Sequence, residues 1–402
     1  MATATNIAAS RRYSVIRGRG AAFHGLVAAL VALLAAGLWA AHGMDSNGHH
    51  VTGMNNQIVW GIPHVFAVFL IVAASGALNG ASLASVLGRS QYAPYARLSG
   101  LLAMALLLGG LAIITLDLGR PERLPVALTH FNMRSVFAWN VFFYTGFLVL
   151  TSIYLWTLME RRMNPLAKPV GTVLLVWRLS LTTATGLIFG VLVAREAYDA
   201  IIMSPMFIAM SLSLGSAAYL LLLLAVSHFA GRALDAAVVD GLRRLQVLFV
   251  LAVLFFVALL HGAKLYAAEF HGIERFLLVE GGAITWLFWA GQIGAGSLLA
   301  LWLLIWRRTA ASRAWIATAC ALVLLGGLAQ VYVIIVGGQA YPLNIFPGKD
   351  IVESSFFDGV IAYYQPSIPE FLLAFGGVAL AALIVVVGMR VLQFLPNAGG
   401  AG

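Results

Sequence analysis

The sequence predicts an all-α polytopic membrane protein, one integral membrane domain over residues 1–402, and three observations carry that prediction. Of the 402 residues, 61% are hydrophobic and only 10% are charged, whereas a water-soluble globule carries about a quarter charged residues. About ten segments hold the roughly 18 or more apolar residues that signal a membrane-crossing helix. The basic residues alternate in density from loop to loop, as topology signals do. Disordered chains are poor in apolar residues, and barrel strands alternate apolar and polar every second position. Neither describes this chain.

The predicted spans are 21–41, 58–87, 98–117, 135–159, 170–195, 205–229, 244–268, 281–306, 314–336 and 368–394. One side collects sixteen of the 24 Lys and Arg residues: Arg11, Arg12, Arg17, Arg19, Arg89, Arg97, Arg161, Arg162, Lys168, Arg232, Arg243, Arg244, Arg307, Arg308, Arg313 and Arg390. The other side holds seven, Arg120, Arg123, Arg134, Arg195, Lys264, Arg275 and Lys349, and Arg178 falls inside a span. The positive-inside rule therefore places both termini in the cytoplasm. The arm 1–20 reads as a basic cytoplasmic anchor, although Ser10-Arg11-Arg12 loosely resembles a twin-arginine signal. Segment 337–367, with Pro342, Pro347, Gly348 and Gly359 among aromatics, reads as an outer cap or docking loop. Pro205-Met206-Phe207 echoes Pro63-His64-Val65-Phe66, which suggests two four-helix bundles plus two extra helices.

The single cysteine, Cys320, excludes a disulfide framework, a thiolate zinc site and a self-bound iron–sulfur cluster. The net charge of +9 lies mostly in short loops and reads as topology, not as a nucleic-acid surface. Ionisable residues near a bilayer are costly and mark function by default. They gather at the outer ends of the spans: His64, Asp117, Arg120, Arg134, Asn140, Arg195, Glu196, His261, Lys264 and Glu269.

The sharpest stretch is Asp117-Leu118-Gly119-Arg120-Pro121. Asp117 leaves the third span and Arg120 follows one turn later, a spacing suited to keeping a carboxylate ionised. Trp60 and His64 share a face of the second span. Asn140 and Tyr144 share one on the fourth, beside Trp139. His64, Ser75, Asn79 and Ser82 form a polar stripe at helical spacing, and Arg178, Thr182 and Thr185 form another on the fifth span. The stripes read either as interhelical hydrogen bonds or as a partial proton path.

Without cysteine ligands, redox chemistry calls for a lipid-soluble carrier. A quinone headgroup needs hydrogen-bond donors at its carbonyls and a proton-exchanging group, which His64, Asp117, Asn140 and Tyr144 supply. Two alternatives stand beside this reading. A secondary transporter uses similar polar groups, but near the midplane. A dihaem b-type cytochrome would pair His64 and His261 with His24 and His228 at two depths.

The Asp117-Leu118-Gly119-Arg120-Pro121 turn, the Trp60-Gly61-Ile62-Pro63-His64 helix start and Arg134-Ser135 leading to Trp139-Asn140 resemble the NrfD/PsrC family of quinone-interacting membrane subunits. The ten spans and the Met54–Gly61 run are similar to its longer DsrP-type branch of sulfur-metabolism complexes, with the HybB-type hydrogenase branch next. The resemblance implies a menaquinone or ubiquinone pocket near the outer face of a bacterial cytoplasmic membrane, and a quinone-reactive subunit of an oxidoreductase complex that is not catalytic alone. It implies no haem or iron–sulfur cluster in this chain. The implied partners are an extracytoplasmic four-cluster ferredoxin-like subunit and further membrane and cytochrome subunits. By position, His64 and Asp117 carry the chemistry, with Trp60, Arg120, Trp139, Asn140 and Tyr144 around the quinone.

Overall fold

Backbone in lipid has no water to bond, so each crossing segment must satisfy its own amides and carbonyls. In the computed structural model, which describes residues 13–16, 18, 20–231, 234–343 and 359–396, the chain does so almost entirely with helices. Ten are long and apolar enough to cross a membrane: α1 (Ala21–Asn47), α2 (Ile62–Ser85), α3 (Ser90–Leu116), α4 (Val136–Met159), α5 (Arg161–Gly190), α6 (Met203–Phe229), α7 (Ala236–Tyr266), α8 (Ala283–Ile305), α9 (Arg313–Ala340) and α10 (Ile368–Val391). The predicted spans match them one for one. The helices overrun several predicted ends: α1 continues through His42 and Asp45, and α7 begins before Asp240 and Arg243. Charge ends an apolar window before it ends a helix. Residues 337–340 likewise belong to α9, so the segment read as a 337–367 loop begins at Tyr341.

The packing forms two rings of four. In the first, α2 meets α3, α3 meets α4, α4 meets α5 and α5 returns to α2. In the second, α6, α7, α8 and α9 close in the same order. The rings join where α6 packs on α2 and α5, while α10 lies against α1, α2 and α3. Small residues permit the central contact. A Cβ on Gly76 of α2 would enter the Ser211 carbonyl, and one on Gly215 of α6 would enter the backbone at Gly76 and Ala77. In lipid such backbone approach is the main source of helix–helix attraction.

The two strands, β1 (Tyr13–Ser14) and β2 (Leu395–Pro396), pair antiparallel, with Tyr13 opposite Pro396. This places the start of α1 and the end of α10 at one end of the molecule. The Arg97 guanidinium lies 3.7 Å from the Tyr13 ring and donates to the carbonyls of Leu158 and Gln393. Arg11, Arg12, Arg17, Arg19, Arg232 and Lys349 lie outside the described residues, as do Phe346, Pro347, Gly348, Phe356 and Phe357.

Two irregularities shape the interior. α2 breaks at Leu78, between stretches 62–77 and 79–85. α8 and α9 contain π-helical stretches, Leu287–Leu299 and Val333–Gly337. Such windings are rare in helices and recur at functional sites.

Candidate functional site

The segment entering α2 is held from several directions. The Gln339 side chain accepts from the amides of Val59 and Trp60, both at 3.0 Å, and donates back to the Trp60 carbonyl at 3.0 Å. Gln57 donates to the carbonyls of Gln339, Ala340 and Val360. Arg195 spans the two strands of chain, donating to the carbonyls of Gln339 at 3.0 Å and Gln57 at 2.7 Å. Burial lowers the Arg195 pKa, and the neighbouring Tyr198 hydroxyl opposes that shift. Beneath Gly61 lies Glu370, fully buried. It accepts from the Tyr364 hydroxyl, from the Gly53 amide at 2.9 Å and from the Ser367 amide at 2.6 Å. Burial and the bond to Glu370 push the Tyr364 hydroxyl well above its usual pKa. A Cβ on Gly61 would collide with the Tyr364 hydroxyl and the Glu370 carboxylate. Glycine is therefore required where the chain turns into α2.

This scaffold presents Trp60 and His64 together. Their rings stack with centroids 6.2 Å apart. Trp60 also meets Phe137 at 5.9 Å and Phe189 at 6.1 Å, so His64 sits under an aromatic wall.

Asp117 caps the end of α3, and only 7% of its surface is exposed. Two histidines flank it. His64 Nδ1 is 3.1 Å from Asp117 Oδ2, and His49 Nε2 is 3.6 Å from Oδ1. The ion-pair distances overstate the bonding, because neither carboxylate oxygen, nor His64 Nδ1, has an aligned hydrogen-bond partner among the described residues. His49 Nε2 is instead aimed at the Asp117 backbone carbonyl, to which it donates at 2.9 Å. An unaligned buried carboxylate costs several kcal/mol. The arrangement leaves three polar atoms, Asp117 Oδ1 and Oδ2 and His64 Nδ1, clustered without an aligned bond among the described residues.

The other sequence-predicted residues divide. Arg120 is exposed and forms no ion pair with Asp117 among the described residues; the histidines occupy the place expected of it, because Gly119 and Pro121 turn the chain outward before another helical turn forms. Arg134 is exposed in the loop before α4. Asn140 is buried, but its amide donates to the carbonyls of Val136 and Ala184, both at 3.0 Å, and accepts from the Thr185 hydroxyl at 3.0 Å. It ties α4 to α5. Tyr144 is buried one turn further, with its hydroxyl against Thr185. Trp139 is exposed and donates its indole N–H to the Met133 carbonyl at 2.7 Å.

The polar stripes bond across helices. Ser75 donates to the Arg178 carbonyl at 3.2 Å, Arg178 donates to the Ser75 carbonyl at 2.5 Å and Asn79 donates to Ser216 at 2.8 Å.

Away from this cluster, Lys264 donates to the carbonyls of Glu196, Ala197 and Tyr198 at 2.5, 2.7 and 3.0 Å. Partial burial raises the Glu196 pKa; Lys264 opposes the shift and Glu269 adds to it. His261 donates to Glu274 at 2.7 Å. The histidines considered for haem thus differ: His64 and His261 face carboxylates, while His24 is exposed on the Gly20 carbonyl. Among the described residues no group of three or more His, Cys, Asp or Glu is placed to hold a metal.

Sequence reasoning missed His49, Gln57, Gln339, Tyr364 and Glu370. Glu370 carried a readable signal, since Ser367 three residues before it has helix-capping spacing. His49 carried a weaker one: it follows α1 at the end where α3 delivers Asp117.

The family model described as Polysulphide reductase, NrfD, matches residues 50–342. Relatives over nearly the whole chain include the Hdr-like menaquinol oxidoreductase integral membrane subunit of Archaeoglobus fulgidus, 27% identical over 96% of this chain and 97% of the relative. A putative dimethyl sulfoxide reductase membrane subunit of Halobacterium salinarum is 26% identical, over 95% and 94%. A selenate reductase subunit of Mesobacillus selenatarsenatis is 22% identical, over 84% and 87%.

Proposed function

Since the chain belongs to the NrfD polysulphide reductase family, we propose that it is the quinone-reactive membrane subunit of an oxidoreductase complex, exchanging electrons between a menaquinone or ubiquinone pool and an extracytoplasmic four-cluster iron–sulfur subunit. One observation carries the reading: the buried Asp117 carboxylate, with both oxygens unaligned, faces the equally unaligned Nδ1 of His64 under the Trp60 ring. A quinone headgroup fits those atoms, because its oxygens alternate between accepting and donating hydrogen bonds as they lose and gain protons. The ring supplies the two-electron chemistry. Asp117 accepts or returns the proton, His64 bonds and orients a headgroup oxygen, and Trp60 with Phe137 and Phe189 excludes water from one face. His49, a third exposed at its side chain, links Asp117 to the surface. The relative named as a menaquinol oxidoreductase subunit supports the choice of carrier.

The basic-residue distribution supports placing this end of the bundle on the extracytoplasmic side of a bacterial cytoplasmic membrane, with the iron–sulfur partner docked over it. The ten spans and the Met54–Gly61 run, which resemble the DsrP-type branch, support a place in dissimilatory sulfur metabolism, alongside further membrane and cytochrome subunits.

Asp117→Asn keeps shape but abolishes proton exchange. In the complex it lowers quinone turnover roughly 10²-fold or more, within the range of a positioned acid–base group, while the subunits still assemble and purify together. Wild-type turnover in this variant would leave Asp117 as a helix cap and overturn the assignment.

A further inference from the structure

The α6–α9 ring contains its own buried acid–base chamber. A small cavity of about 30 Å³ is lined by His261, Lys264, Glu274, Phe288, Gln292 and Gln330, among others. A second, of about 20 Å³, shares Gln292 and Gln330 and continues to Ser213 and Ser297. Beyond it Gln246 donates to Ser213 at 3.1 Å. Three buried polar atoms along this line have no partner among the described residues: Glu274 Oε1, Gln330 Nε2 and Gln246 Oε1. Acceptor, donor and acceptor, set along small, mostly apolar cavities with room for a water or two each, are what ordered water satisfies. His261 and Gln246 are fifteen residues apart on α7, so the line covers about 22 Å at 1.5 Å per residue. Further along α7, Leu242, Val239 and Val238 are buried and close it.

The winding of the walls agrees. Gln292 and Ser297 lie in the π-helical stretch of α8, and Gln330 shortly precedes that of α9. The chamber also repeats the position of the Asp117 site. Met206, which follows Pro205 at the start of α6, lines it, just as His64 follows Pro63 at the start of α2.

We propose that the α6–α9 bundle is a water-filled proton half-channel, opening at the same end as the Asp117 site, with the Glu274–His261 pair as its loading group. A proton carried by chamber water passes to Glu274 Oε1, the water regains neutrality, and no electron moves. The charged groups facing Glu274 are few. His261 and Lys264 approach from α7, Glu196 and Asp199 act on Lys264 from the segment before α6, and α6, α8 and α9 present only uncharged side chains to the cavity. Lys264 holds the Tyr198 carbonyl, and the Tyr198 ring meets Phe189 at 5.3 Å, which meets Trp60 above His64. This contact chain offers mechanical coupling to the Asp117 site. The coupling rests on the quinone reading; the half-channel does not.

Two measurements on the intact complex test the proposal. Dicyclohexylcarbodiimide attacks protonated carboxyls in apolar surroundings. It should modify the peptide containing Glu274, less as pH rises, and not at all in Glu274→Gln; an unmodified Glu274 at every pH would sink the loading site. In vesicles, protons moved per electron should fall at least twofold in both Glu274→Gln and Gln330→Leu, with uncoupled turnover within twofold of wild type. An unchanged proton ratio in both overturns the half-channel, and Gln330→Leu alone decides if Glu274→Gln fails to assemble. If Asp117→Asn turns over normally, the quinone site is wrong, yet the labelling result still judges the chamber.

Discussion

Asn140 and Asp117 are buried polar side chains at the same end of the molecule, and their partners separate their roles. Every polar atom of Asn140 is engaged between α4 and α5, so it has nothing left for a ligand. Asn140→Leu removes the bonds to the Ala184 carbonyl and from the Thr185 hydroxyl and should destabilise the protein by about 1–3 kcal/mol. The purified complex should melt several degrees lower, with turnover per folded complex within a few-fold of wild type. A hundredfold loss of turnover at unchanged melting would instead return Asn140 to the quinone. His49 is the opposite case. Its Nε2 holds the Asp117 carbonyl while its ring borders the carboxylate. His49→Gln preserves a donor but cannot relay a proton between Asp117 and the surface. Turnover should drop about tenfold; wild-type turnover in this variant would make His49 a structural tie.

At the scale of elements, the break in α2 shows what the sequence could and could not display. Leu78 interrupts the helix without a proline, and the freed groups are taken up from outside. Ser99 donates to the Ala77 carbonyl at 2.6 Å and accepts from the Ala81 amide at 3.1 Å, while Arg178 covers the Ser75 carbonyl. Ser99→Ala orphans both groups at once and should cost roughly 2–4 kcal/mol, read as an earlier unfolding midpoint in a detergent titration. A midpoint equal to wild type would mean that the break satisfies itself. The ten spans were legible because the bilayer imposes length and apolarity on each segment separately. His64 and Asp117 were legible because an ionisable group at a helix mouth stands out against apolar neighbours. The break, the π windings and the Glu370–Tyr364 clamp were not, since each depends on partners distant in sequence: Ser99 with Ala77, or Tyr364 with Ile62 at 2.7 Å. Arg120 misled for a related reason. Spacing of three residues implies contact only while the helix continues, and this one ends at Leu116.

For the molecule as a whole, the pairing of β1 with β2 places the two described ends of the chain at one end of the bundle, as an even number of crossings demands. Which side of the membrane that is follows from charge. That end carries Arg89, Arg161, Arg162, Lys168, Arg307, Arg308 and Arg313 in its loops and first helical turns, and the opposite end carries Arg120, Arg123, Arg134, Arg195 and Arg275. Basic residues resist translocation, so the richer end should remain in the cytoplasm and Asp117, His64 and the Glu274 chamber should face outward. The opposing arginines are partly accounted for: Arg195 is bound into the Gln57–Gln339 clamp and Arg275 pairs with Glu280 at 2.6 Å, which leaves them weak as topology signals. A green fluorescent reporter fused after residue 402 should therefore glow, and an alkaline phosphatase fused there should stay silent. Phosphatase inserted in the Arg120–Arg134 loop should be active. The reverse pattern would move the candidate site to the cytoplasmic face and remove the extracytoplasmic iron–sulfur partner from the proposal, while leaving every contact around Asp117 as described.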